Sequence, residues 1–270
     1  MKRSFLFWLC LSLRASSQTL SFELHDDFLI VSKCTIGTLQ NLVAVIDTGV
    51  TETTLDLRIA KRLSLSMRPE AASFGTRNVV VQAVSIPKIE LGPLRSEHLS
   101  GIAGDLSPLT HSMGIRPDVL IGMDLLGMSK FLIDYKAKTI TFGTVPSLPH
   151  SATLLPGRRF ALLDATADGK MLRFQVDTGF NAVLIYGGKV RASAVLQSDS
   201  HEAALGLVLR AQLAEIREFQ IGGWKTKGFP AYVTDEIPGG EPGFDGLLGP
   251  KALGVRRLAF DFERHILAWE

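Results

Sequence analysis

Two cysteines, Cys10 and Cys34, are all that the 270-residue chain contains, so no disulfide framework is expected. Cys34 stands in an apolar-leaning run without an identifiable His partner and reads as a buried strand thiol. The six histidines are scattered; none forms a His-x-x-x-His pair or joins a Cys–His set, so no metal site is expected. There is no Gly-x-Ser-x-Gly nucleophile elbow and no phosphate loop. Charge of either sign is nearly balanced at +2, and no basic cluster interleaves with aromatics, which excludes a nucleic-acid partner as the default reading. Beyond the N-terminus no apolar run is long enough to span a bilayer as a helix. Nothing in the chain calls for an organic cofactor.

What is present is an ordinary globular composition, 46% apolar and 21% charged, long enough to bury a large core. Residues 1–17 have the order of an export signal. Lys2 and Arg3 form a basic end, residues 4–13 an apolar run, and Ala15-Ser16-Ser17 a small-residue cleavage region. The expected location is periplasmic or secreted, with tethering through an uncleaved N-terminal segment as the alternative.

The most informative feature is Asp-Thr-Gly, found at Asp47-Thr48-Gly49 and again at Asp177-Thr178-Gly179. Each copy follows an apolar-leaning run, Leu42-Val43-Ala44-Val45-Ile46 and Leu172-Arg173-Phe174-Gln175-Val176. Two chance copies would occur in roughly one chain in a thousand of this length at average residue usage. The repeat also extends further. At the same offset Ile86, Ile89, Leu91 and Gly92 pair with Ile216, Phe219, Ile221 and Gly222. At an offset shorter by three, Asp118-Val119-Leu120-Ile121-Gly122 pairs with Asp245-Gly246-Leu247-Leu248-Gly249, and Phe131-Leu132-Ile133-Asp134-Tyr135 with Leu258-Ala259-Phe260-Asp261-Phe262. Each copy is the size of a small domain. The expected division is a first lobe over 18–143, a Pro-containing linker over 144–151 and a second lobe over 152–270.

Within each copy the local signals are short strands with Gly-marked turns, an all-β pattern. Residues 131–142 and 258–269 read as hairpins turning at Lys136-Ala137 and Glu263-Arg264. Asp56 is placed to cap a short helix over 57–63, and residues 123–128 have room for a turn or two. Gly222-Gly223-Trp224 reads as a hairpin turn.

Two carboxylates brought together by equivalent loops cannot both ionise cheaply, so they share a proton and hold a water between them. Asp47 and Asp177 are the candidate catalytic pair, titrating as a unit. Gly49 and Gly179 lack the Cβ that would block the opposing loop, and their amides are free to point at the carboxylates. Asp118, Asp124, Asp134, Asp245 and Asp261 sit at turn and strand positions and fit structural roles better than catalytic ones.

These residues resemble the retropepsin-like and pepsin-like aspartic proteases, over nearly the whole chain beyond the signal and twice along it. The matching pieces are Ile46-Asp47-Thr48-Gly49 with Leu120-Ile121-Gly122, and Val176-Asp177-Thr178-Gly179 with Leu247-Leu248-Gly249. The resemblance implies a mainly β, two-lobed acid-protease-like fold, with two pseudo-symmetric β-barrel lobes and few short helices. It implies that Thr48 and Thr178 reach across to the other lobe's backbone. It also implies that Ile121-Gly122 and Leu248-Gly249 pass behind the catalytic loops. The activity implied is aspartic endopeptidase action on a peptide or unfolded protein, by a chain that acts as a monomer with internal pseudo-two-fold symmetry. The alternative is a catalytically inactive peptide- or protein-binding module of the same fold. Each lobe of the family can carry a flap, and Gly75 and Gly206 are candidates for flap tips; ordinary surface hairpins explain them equally well. Val50 and Phe180, which follow the two glycines, depart from the family pattern. Phe180 either lines a substrate pocket or crowds the cleft.

Overall fold

The computed structural model describes residues 18–74, 77–110, 114–157, 159–190, 195–203, 207–237 and 243–270. The expected export signal, Gly75 and Gly206 lie outside these residues. Among the described residues the strands form three sheets, and the helical segments are short: Leu57–Arg62, Met123–Leu126 and a 3-10 turn at Pro250–Leu253.

Each lobe is a closed ring of six strands. In the first, Leu29–Ile36 pairs with Leu39–Ile46, which runs parallel to Val119–Ile121. That short strand pairs with Thr54–Asp56, then Leu94–Gly104, then Arg77–Leu91. Thr35 opposite Glu90 and Ile36 opposite Ile89 close the ring. The second lobe repeats the circuit through Leu162–Ala167, Lys170–Val176, Gly246–Leu248, Val183–Ile185, Trp224–Val233 and Leu207–Ile221. Thr166 opposite Gln220 closes that ring. The fold is therefore mainly β and two-lobed, as expected, with one barrel per repeat.

Alternation fills the barrels. Along Leu29–Ile36 the residues Ile30, Cys34 and Ile36 are buried in the core while Lys33 faces out. Burial among apolar neighbours pushes the Cys34 thiol up to about 12, which keeps it protonated and inert. Asp56 caps the helix Leu57–Arg62, its carboxylate accepting the Arg58 N–H at 2.8 Å. In each lobe a hairpin extends from the ring, Arg68–Phe74 with Arg77–Leu91 in the first and Val195–Ala203 with Leu207–Ile221 in the second.

A third sheet joins the lobes, and nothing in the linear order of residues signalled it. Its six strands run Thr19–Ser21, Thr139–Phe142, Phe131–Asp134, Arg257–Asp261, Ile266–Trp269 and His150–Thr153. The first three belong to one half and the last three to the other. The segment read as a linker thus ends in strand, with His150 opposite Trp269. At the centre Phe131 faces Phe260, Leu132 faces Ala259 and Ile133 faces Leu258. The repeat equates Leu132 with Ala259, so the pseudo-two-fold axis passes through that pair. Phe131 and Phe260 stack at 4.7 Å between ring centroids and tie both halves into one core.

Candidate active site

The parallel strand pairs dictate where the two Asp-Thr-Gly loops sit. Leu39–Ile46 ends at its loop beside Val119–Ile121, and the Asp47 N–H donates to the Ile121 carbonyl at 3.0 Å. Lys170–Val176 ends beside Gly246–Leu248, and the Asp177 N–H donates to the Leu248 carbonyl at 3.0 Å. Gly122 and Gly249 follow, where a Cβ would lie 2.9 Å from the Val50 carbonyl oxygen and 2.3 Å from that of Phe180. The strand behind each loop can pass this closely only with glycine at that point. Ile121, Gly122, Leu248 and Gly249 thus pass directly behind the two Asp-Thr-Gly loops.

The loops meet across the lobe boundary. The Thr48 hydroxyl donates to the Val176 carbonyl at 2.8 Å and accepts the Thr178 N–H at 3.1 Å. The Thr178 hydroxyl donates to the Ile46 carbonyl at 3.1 Å and accepts the Thr48 N–H at 3.0 Å. Both threonines are buried, so these four bonds are made away from water and hold the loops in fixed register.

Asp47 and Asp177 face each other at this seam, side chain within hydrogen-bonding reach of side chain. The Gly49 N–H donates to Asp47 at 2.8 Å and the Gly179 N–H to Asp177 at 2.8 Å. The glycines are needed for the approach. A Cβ on Gly49 would fall 2.4 Å from the Asp177 carboxyl carbon, and one on Gly179 would fall 2.6 Å from an Asp47 oxygen. Burial holds the Asp47 carboxyl above the usual range. Burial and the adjacent Asp47 charge hold Asp177 well above it. The pair binds one proton under conditions where an isolated aspartate would bind none.

The other aspartates do structural work. Asp118 accepts the Val43 N–H at 2.8 Å and the Arg58 guanidinium at 2.8 Å. Its counterpart Asp245 accepts the Arg173 N–H at 2.8 Å and pairs with Lys189. Asp134 and Asp261 accept the N–H groups of Ala137 and Arg264 at their hairpin turns. Asp124 accepts both the N–H and the hydroxyl of Thr53, at 2.8 and 2.7 Å.

One site residue carried no repeat signal. The Gln175 side-chain amide donates to the Gly49 carbonyl at 2.8 Å, a further bond across the seam. Its counterpart is Val45, which has no donor to offer, so this link exists on one side only. A polar residue two positions before Asp177, where the first copy carries Val45, was the hint. Among the described residues there is no group of three or more metal-ligating side chains, and no helix is long and apolar enough to cross a membrane.

A family model described as aspartyl protease matches residues 32–125 and 163–251. Each match contains one Asp-Thr-Gly loop and the strand behind it. No curated protein matches the chain.

Proposed function

The chain belongs to the aspartyl protease family, and from that premise we propose that it is an aspartic endopeptidase in which Asp47 and Asp177 activate one water. The observation that carries this reading is the pair itself: two carboxyls, one from each repeat, within hydrogen-bonding reach and with raised proton affinity. The ionised partner takes a proton from the water as its oxygen attacks the peptide carbonyl carbon. The protonated partner gives its proton to the carbonyl oxygen, and a neutral gem-diol forms. In the second half the pair delivers a proton to the amide nitrogen and takes one from a diol hydroxyl. The C–N bond breaks, and the pair again holds one proton. The reaction needs neither a metal nor an organic cofactor.

The two hairpins extending from the rings supply edges along which an extended peptide could bind by strand-like hydrogen bonds. The protein acts as a monomer in this reading, since both carboxyls come from one chain. Export through residues 1–17 belongs to the same proposal, and cell fractionation tests it.

The deciding experiment incubates the purified protein with an unfolded polypeptide from acidic to neutral pH, beside Asp47→Asn and Asp177→Asn. Each substitution is expected to lower cleavage by about 10²–10⁴-fold or more while circular dichroism stays unchanged. Full cleavage by either variant would remove the two-carboxylate mechanism. No cleavage by the unaltered chain at any pH would favour the peptide-binding module instead.

A further inference from the structure

Gln175 lies on Lys170–Val176 between Leu162 and Leu247, its partners on the two flanking strands. Phe174 and Val176 on either side of it belong to the barrel core, so alternation turns the Gln175 side chain the other way, toward the first lobe. It is 3% exposed there, and its amide donates to the Gly49 carbonyl at 2.8 Å. The first lobe puts Val45 at the same place, in an apolar cluster with Leu29, Leu106, Leu109 and Leu120. The fold thus accepts an apolar residue at this position, and burying an amide there instead is unfavourable unless the amide is bonded.

The bond falls on a residue with little restraint of its own. Gly49 has to be glycine, because a Cβ would lie 2.4 Å from the Asp177 carboxyl carbon. Glycine leaves the backbone freer than any other residue would. Yet the Gly49 N–H must stay aimed at Asp47, which it reaches at 2.8 Å. Gln175 holds the carbonyl of that same residue, so the chain is fixed on both sides of the Gly49 α-carbon. The next N–H, that of Val50, donates to the Asp47 carbonyl at 3.4 Å and closes the turn. In the second loop the Gly179 N–H reaches Asp177 at 2.8 Å and the Phe180 N–H reaches the Asp177 carbonyl at 3.3 Å. There Val45 offers the Gly179 carbonyl no donor. The loops share their internal bonds and differ in the clamp.

We infer that Gln175 is a positioning residue of the acid pair: by clamping the Gly49 carbonyl across the seam it keeps the Gly49 N–H directed at Asp47 and makes the two carboxyls unequal. A donor held on a carboxylate favours its ionised form. The Gly49 N–H acts on Asp47 in that sense, against the burial that raises its proton affinity. Asp177 is raised further, by burial and then by the Asp47 charge. Releasing the clamp therefore loosens the hold on ionised Asp47 and leaves the Asp177 bonds in place. The Tyr186 phenol also lies near Asp177; burial and that charge push it up, so it stays neutral from acidic to neutral pH. This inference rests on the reading of the protein as a peptidase.

The test compares the unaltered chain with Gln175→Val, which copies the first lobe, and Gln175→Met, which keeps the length of the side chain without its donor. Gln175→Met carries the comparison if the smaller residue loosens the fold. Two readouts are taken across pH: kcat/KM on an unfolded polypeptide, and carbon-13 NMR titration of the Asp47 and Asp177 carboxyls, assigned with the two Asn variants. The second needs no turnover. The acid-side midpoint is expected to rise by about half a unit to one unit, because the ionised form has lost its aimed donor, while the alkaline-side midpoint stays. At the optimum kcat should fall about tenfold with KM little changed. A lost packing contact alone would lower the melting temperature and leave both midpoints where they were. Cleavage with unmoved midpoints in both variants overturns the role of Gln175 and leaves the peptidase standing. A raised acid-side NMR midpoint in a chain that cleaves nothing keeps that role and overturns the peptidase reading. Unmoved midpoints without cleavage overturn both.

Discussion

Thr48 and Thr178 each bond the backbone immediately before the other's aspartate: one hydroxyl donates to Val176 and the other to Ile46. The geometry of the acid pair is thus held through two neutral side chains that bond the opposite loop's backbone. Replacing Thr48 by Val keeps the volume but leaves the Val176 carbonyl and the Thr178 N–H buried without partners. Each such loss costs about 1–3 kcal/mol. Thr48→Val is expected to lower stability by about 2–4 kcal/mol in urea unfolding and to lower kcat, while Thr48→Ser should retain most of both. The Thr178 pair of variants should behave alike, since its contacts mirror these.

Acidity should act on folding and on catalysis through the same two groups. Both carboxyls have raised proton affinity in the native state, Asp177 the more so. The folded protein therefore holds a proton that the unfolded chain releases. The resulting stability is complete below the ordinary aspartate pKa of about 3.9 and is lost as pH climbs through the raised native value. Each pH unit separating the unfolded and native values is worth about 1.4 kcal/mol. Thermal melts should show Asp177→Asn gaining on the unaltered protein as pH rises from about 4 to 7. A variant with the opposite trend would contradict a shared proton. Cleavage should fall on the alkaline side as the second carboxyl ionises, and on the acid side as the first becomes protonated.

Gly49→Ala places a methyl group 2.4 Å from the Asp177 carboxyl carbon. Real contacts do not come so close, so the loops must separate. The expected outcome is loss of most activity with a lowered melting temperature, and a similar result for Gly179→Ala. An active Gly49→Ala enzyme would mean that the loops lie further apart than the structure places them.

Asp124 offers a contrast, because it is a partly buried carboxyl near the loops that holds Thr53 rather than a reacting atom. Asp124→Ala should cost about 1–3 kcal/mol of stability through the unpaired Thr53 groups. The pH at which kcat is half-maximal should stay where it was. A displaced pH profile would instead bring Asp124 into the catalytic chemistry.

Both aspartates, the adjoining threonines and glycines, and the strands behind them were legible because each piece is local and occurs twice. A repeat converts a weak tripeptide into a paired signal, and the pairing is spatial as well as sequential. The helix cap at Asp56 and the turns at Asp134 and Asp261 were legible because each depends on residues only two or three positions away. What escaped had no local or repeated signature. The joining sheet brings Thr19–Ser21 against Thr139–Phe142 and Phe131–Asp134 against Arg257–Asp261, pairings set by tertiary closure rather than by any turn. Gln175 escaped because its partner, the Gly49 carbonyl, belongs to the other lobe and its counterpart Val45 breaks the repeat. Phe180 stood out as a departure, but whether it lined or obstructed a cavity required its neighbours from three separate segments.

At the centre of the joining sheet a large residue, Leu132, lies opposite a small one, Ala259, and both pack with Leu148 and Ala268. Had the molecule been assembled from two identical subunits, the same amino acid would confront itself at that spot. Two first halves would set leucine against leucine and overfill the layer; two second halves would set alanine against alanine and leave a hole. The halves have become a matched knob and recess, so neither is expected to form a well-packed pair with another copy of itself.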